Sequence, residues 1–227
     1  MPDLCNHRLP SRSKYDRYQQ RLCQALDGHT EELHSEFPFL GLLKKDHPRV
    51  AAKIMRDSVM TTGASWKSED AGPNRILRWV MLLSDAELLE LGIDMSKLKP
   101  QVVAKLREKA ADYDTCMEVA RKLTWLAYQM PDAPFPGESI KAYLESHFGE
   151  MHPGSGTCMV CRSPLSFNLF EQAVRGKAAI ETSHSNPREH NEANVGFAHR
   201  ECNIAQGNMS LEQFYTWIEG ILQRARK

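Results

Sequence analysis

Cys158-Met-Val-Cys161 and His199-Arg-Glu-Cys202 are two pairs of metal-ligand residue types, each with two residues between the ligands. Two such pairs can wrap a tetrahedral ion from opposite sides, and a donor set of three Cys and one His suits zinc. Metal binding would also supply folding free energy to a short, loop-rich segment. C-x-x-C by itself also fits a redox pair. Here Pro153, Gly154 and Gly156 precede Cys158, where a thioredoxin-like site requires a strand. Free thiols in a packed core are the remaining alternative.

A second set of residues is threaded through the first. Lys177 to His184 carries a short apolar run, which predicts a strand with His184 at its end. Asn186, Pro187, Asn191 and Asn194 suit a loop. Val195 to Ala198 predicts a second short strand. Arg200 to Gln206 predicts a helix with Asn203 in its first turn and Gly207 as its stop signal. A strand, loop, strand and helix in that order bring His184 and Asn203 within reach of one phosphate.

At these residues the sequence resembles the HNH, or ββα-metal, nuclease family. His184 followed three residues later by Pro187 matches that family, as does Asn194 five residues before His199. Cys202-Asn203 with Gly207 beyond it matches the family's ending, and Cys202 to Met209 is similar to the phage junction-resolving endonuclease VII proteins of the same superfamily. The resemblance covers about residues 155–215. It implies a zinc-stapled, metal-dependent DNA endonuclease of restriction, defence or genome-processing type. His184 would be the general base, which neutral imidazole suits near pH 7. Asn203 would coordinate a divalent ion, Mg²⁺ or another, through its side-chain oxygen. Asn194 would hold the loop or orient the His184 ring.

One position departs from the pattern. Ser183 stands where many members carry an acidic metal ligand immediately before the base. Glu181, three residues before His184, has a spacing similar to the aspartate of the DNA/RNA non-specific nucleases. Either Asn203 is the main ligand with Glu181 assisting through water, or the site is weakened. Arg200 and Arg188 are the first candidates for phosphate contacts. His190 is a spare candidate for a ligand or phosphate contact, and its plain reading is a solvated loop histidine. Ser183 also favours a rival class, a zinc-stabilised nucleic-acid-binding module without catalysis. An RNase with the same site is a further rival.

The rest of the chain must position this module. Lys and Arg number 29, as do Asp and Glu, so the formal net charge is zero and any DNA affinity must come from local patches. Met1 to Pro10 lacks the apolar segment of a signal peptide, no run is long enough to span a membrane, and zinc-type Cys spacing fits a reduced, cytoplasmic compartment. The expected fold is mainly α with a small α+β module: a helical recognition or dimerisation region over 1–150 and a nuclease domain over 151–227. The partners expected are DNA and a second copy of the chain.

Helices are predicted from Ser13 to Asp27, Pro48 to Met60, Pro73 to Leu83, a capped turn after Ser84, and Ser139 to Phe148. Residues 28–47 read as a connector and Thr61 to Gly72, with Trp66, as a loop. Apolar positions from Val103 to Trp125 predict a helix over Pro100 to Met130, broken at most once. Cys5, His7 and Cys23 form an incomplete second ligand set. Ser210 opens a last helix whose stripe of Phe214, Trp217, Ile218 and Ile221 is expected to pack on the module.

Overall fold

Prolines and capping side chains punctuate the helices. A computed structural model of the chain describes residues 37–61, 77–90, 94–174 and 177–226. The helix expected over 13–27, the Cys5, His7 and Cys23 set and the Trp66 loop lie outside these residues. A 3-10 turn at Pro38–Leu40 leads into α1 (Gly41–Asp46), and Pro48 opens α2 (Pro48–Val59). The connector expected over 28–47 is therefore helical in its second half. Phe39, Leu40 and Leu43, at helical spacing, are buried there.

Ser84 and Glu87 close the expected capping box. The Glu87 carboxylate accepts from the Ser84 N–H at 2.7 Å and the Ser84 hydroxyl accepts from the Glu87 N–H at 3.3 Å, starting α3 (Asp85–Glu90). The segment read as one long helix is broken once, into α4 (Pro100–Glu108) and α5 (Tyr113–Tyr128). At the break, the Asp112 carboxylate accepts the Thr115 N–H at 2.7 Å. That bond satisfies an otherwise orphaned donor of α5 and holds Asp112 below the usual carboxylate range. Helix α6 (Glu138–Phe148) follows the proline-rich stretch and ends at Gly149, whose φ of +85° glycine tolerates freely.

The described residues form two compact units, one drawn from 37–38 and 59–116, the other from 39–58 and 117–226. In the first, Val80, Met81, Leu88 and Leu106 are buried beside an arginine, Arg78, that is 1% exposed. Arg78 donates to the Lys109 carbonyl at 3.0 Å, which satisfies part of its guanidinium. In the second unit, Val50 and Ile54 of α2 are fully buried, as are Val119, Ala120 and Leu123 of α5 and Leu144 of α6. The boundary expected at 150/151 falls inside this second unit, which takes in α2.

The strands are short. β1 (Ala173–Val174) pairs antiparallel with β2 (Lys177–Ala178), and β3 (Ile180–His184) pairs antiparallel with β4 (Val195–His199). The β3–β4 register sets Ile180 opposite His199 and His184 opposite Val195. Helix α7 (Arg200–Gln206) follows β4 without a gap. A capping box between Ser210 and Gln213 then opens α8 (Leu211–Ala225). The fold is thus mainly helical with two small two-stranded antiparallel sheets among the described residues. The stripe of α8 packs only through its first turns: Phe214 is buried, whereas Trp217 is 51% exposed and Ile221 is also exposed. Among the described residues no helix is long and apolar enough to cross a membrane.

Candidate active site and metal centre

The two Cys/His pairs converge. Cys158 and Cys161 sit in a hairpin loop whose ends pair through Thr157 and Pro164. Within it, the Cys161 N–H donates to Cys158 Sγ at 3.5 Å, and Arg162 takes a left-handed φ of +65° that turns the chain back. The Met159 N–H donates to the Phe197 carbonyl at 2.9 Å, docking this loop on β4. Gly196 permits the approach, since a Cβ there would lie 3.1 Å from Met159 Sδ. His199 ends β4 and Cys202 lies in the first turn of α7. The ligand atoms of Cys158, Cys161, His199 and Cys202 all lie within 4.8 Å of one another, with Cys161 Sγ 3.5 Å from His199 Nδ1.

This donor set fits a metal ion such as zinc. Bond lengths near 2.3 Å to sulfur and 2.0 Å to nitrogen place tetrahedral ligand atoms roughly 3.6 Å apart. As thiolates the sulfurs would favour a cation between them. Burial raises Cys161, but hydrogen bonds from Ser163, His199 and Cys158 outweigh it and hold this thiol down to about 6. Burial and the neighbouring sulfurs push Cys202 up to about 12. One negative charge already suppresses the next, and a divalent cation removes that penalty.

At the other end of the β3–β4 ladder lies the histidine site. His184 and His199 are separated by four register steps, about 13 Å at the usual strand rise. His184 Nε2 lies 3.1 Å from His190 Nδ1, and His190 Nε2 lies 2.7 Å from the Ser58 carbonyl oxygen. His190 is 5% exposed, so the plain reading of a solvated loop histidine is corrected. Its polar ring atoms could be buried because Ser58, at the end of α2, supplies a carbonyl partner that the local sequence does not reveal.

Asn194 is buried beneath the loop that joins β3 to β4. Its Oδ1 accepts from the Asn186 N–H at 2.7 Å and from the Ser185 hydroxyl. Its Nδ2 donates to the Asn186 and Glu189 carbonyls at 2.8 and 2.7 Å. All four hydrogen-bonding positions of the amide are used to fold one loop. Asn203 is half-buried on α7, and its side chain makes no hydrogen bond to a described residue. Arg188 is exposed in the loop.

Glu181 lies in a cluster of charges. Its Oε1 is paired with Arg200 of α7, and its Oε2 lies 3.5 Å from Lys53 Nζ of α2. Lys53 also pairs with Asp57 at 2.9 Å, and Asp57 accepts from the Thr182 hydroxyl at 3.0 Å and from Arg56 at 2.7 Å. Burial raises the Asp57 carboxyl, but the charge of Lys53 and the Arg56 contact outweigh it and bring it down to about 2. Lys53 and Asp57 are both buried, and neither was singled out in the sequence. Their signal was present: four residues apart, they share the face of α2 that carries Val50 and Ile54.

Ser183 is 1% exposed, and its hydroxyl donates to Oε1 of Gln206 at 3.1 Å. An acidic side chain at this position would enter the β3–α7 contact. Gln206, also missed in the sequence, donates in turn to the His184 and Met209 carbonyls at 2.8 and 3.1 Å.

Two comparisons with known proteins match most of the chain. The DraIII family model matches residues 36–202. A solved structure described as a type II restriction endonuclease is 49% identical, with a TM-score of 0.71, and the match covers 84% of this chain and 83% of that one. No curated protein matches. The match to the family spans well over half of the sequence and includes α2, the strands β1 to β4 and the Cys/His cluster, so the chain belongs to the DraIII family.

Proposed function

We propose that the protein is a metal-dependent DNA endonuclease of restriction type that hydrolyses phosphodiester bonds, with the HNH arrangement as its catalytic core. The observation that carries this reading is the 49% identity, over 84% of the chain, to a type II restriction endonuclease. The order β3, loop, β4, α7 supports the HNH arrangement, with His184 ending the first strand and Asn203 on the helix.

Each residue then has a task. His184 takes the proton of the attacking water as the phosphorus–oxygen bond to the 3′-oxygen breaks. Asn194 folds the loop beside His184 through its four hydrogen bonds. Asn203, whose amide is not committed to a described residue, would hold a divalent ion, Mg²⁺ by preference. When bound, that ion supplies charge stabilisation at the scissile phosphate. Glu181 is engaged by Arg200 and Lys53, so its part is to fix those cations, and it would assist the ion only through water. Arg188 contacts the DNA backbone, and Arg200 places positive charge beside the site. Cys158, Cys161, His199 and Cys202 would hold zinc as a staple between the hairpin loop, β4 and α7.

Ser183, the feature that favoured a non-catalytic module, is engaged in the β3–α7 contact, and in this reading His184 and Asn203 keep their roles without an acid there. Plasmid cleavage by the purified protein with Mg²⁺ tests the proposal, with EDTA and His184→Ala as controls. Cleavage lost in both controls is the expected result. A folded, zinc-loaded protein that cuts no DNA would leave the binding-module reading, and cutting of RNA alone would make it an RNase.

A further inference from the structure

We propose that His190 is a positioning residue for His184, locking its ring in the tautomer that a general base requires, and that the last turn of α2 anchors this lock. The inference rests on the reading of His184 as the base. It starts from an acceptor of fixed character. The Ser58 carbonyl oxygen can only accept, so the 2.7 Å contact requires the proton on His190 Nε2. In the neutral imidazole the other ring nitrogen carries a lone pair. His190 Nδ1 is then an acceptor, and the 3.1 Å contact is made by a proton on His184 Nε2. His184 therefore carries its lone pair on Nδ1. The opposite tautomer would set two lone pairs against each other.

The anchor is suited to this use. Ser58 lies in the final turn of α2, whose carbonyls carry the negative end of the helix dipole. The Ser58 hydroxyl donates back to the Ile54 and Met55 carbonyls at 2.7 and 3.0 Å, which holds that turn in place. When His184 Nδ1 takes a proton from water, its Nε2 proton stays where it is. The bond to His190 then becomes charge-assisted and shortens. No proton needs to pass on to Ser58. A helix 132 residues distant in sequence from His190 thereby sets the geometry of the base.

The test is ¹⁵N–¹H NMR of the histidine rings in the full-length protein, with His184→Ala to assign the signals, alongside steady-state cleavage. The wild type should show His184 as the Nε2–H tautomer. His190→Ala should release it to a mixture and lower kcat about 10- to 100-fold, with KM for DNA unchanged, since an orienting partner acts on chemistry rather than binding. His190→Asn, which returns an acceptor oxygen near the Nδ1 position, should restore both in part. A pure Nε2–H tautomer for His184 in His190→Ala, or an unchanged kcat, overturns the proposal. If the alanine variant loses zinc or its fold, His190→Asn decides alone, and loss of the Nε2–H tautomer there overturns it. A wild type that shows the lock yet cleaves no DNA refutes the nuclease reading and leaves the hydrogen-bond chain standing.

Discussion

The Ser183 hydroxyl donates to Gln206 Oε1 at 3.1 Å inside the contact between β3 and α7. Gln206 spends its amide protons on the carbonyls of His184 and Met209, so one buried side chain ties the end of β3 to both ends of the α7–α8 turn. Replacing it removes a hydrogen-bond partner from the buried Ser183 hydroxyl and from two part-buried carbonyls. Gln206→Leu should cost about 2–4 kcal/mol of stability, since each orphaned buried group costs on the order of 1–3 kcal/mol and some regain water. Urea unfolding measures this. Ser183→Asp, which supplies the acid found in many HNH proteins, should lower stability without raising activity, because it sets a carboxylate against the Gln206 oxygen.

The metal cluster should behave as part of the fold. Cys158→Ser removes the buried member of the Cys/His cluster, and Cys202→Ser removes its member from α7. Both should lower zinc content from about one ion per chain towards none and reduce the Tm markedly, because binding energy in such sites is folding energy. Metal analysis with thermal melts provides the check. Equal Tm values for metal-loaded and chelator-stripped protein would refute the role.

Asn194→Ala should loosen the 185–194 loop. Four hydrogen bonds are lost, and about 2 kcal/mol or more should go with them where the loop groups stay buried. Cleavage should fall at least tenfold while DNA affinity changes little. Hydrogen exchange across 185–194 would reveal the loosening, and unchanged exchange would contradict it.

The Asp57 carboxyl, brought down to about 2 from 3.8, links stability to pH. A folded-state value below the unfolded one contributes stability that is complete above the unfolded value and is lost as pH falls through the folded one. The loss should therefore occur between about pH 4 and pH 2 and amount to about 2 kcal/mol. Asp57→Ala should abolish that acid-dependent component. It should also destabilise the protein at neutral pH by about 3–5 kcal/mol, because buried Lys53 loses its nearest counter-ion. Denaturant unfolding across this pH range tests both.

What the sequence by itself determined is local. The convergence of Cys158, Cys161, His199 and Cys202 was legible because each pair lies within one turn of chain, so spacing nearly dictates geometry. The strand, loop, strand and helix around His184 were legible because alternation, asparagines and a terminal glycine act over a few residues. The capping boxes at Ser84 and Ser210 belong to the same class. Helix 38–46 was not legible, because Pro38 and Gly41 mimic a connector while burial of Phe39, Leu40 and Leu43 decides the matter. Nor were the partners of the site. Whether His190 is solvated or buried against Ser58, and whether Glu181 faces a metal or Lys53 and Arg200, depends on where α2 packs. Lys53 and Glu181 are 128 residues apart, and only the burial of a shared core, to which residues of both regions contribute, brings their charges together.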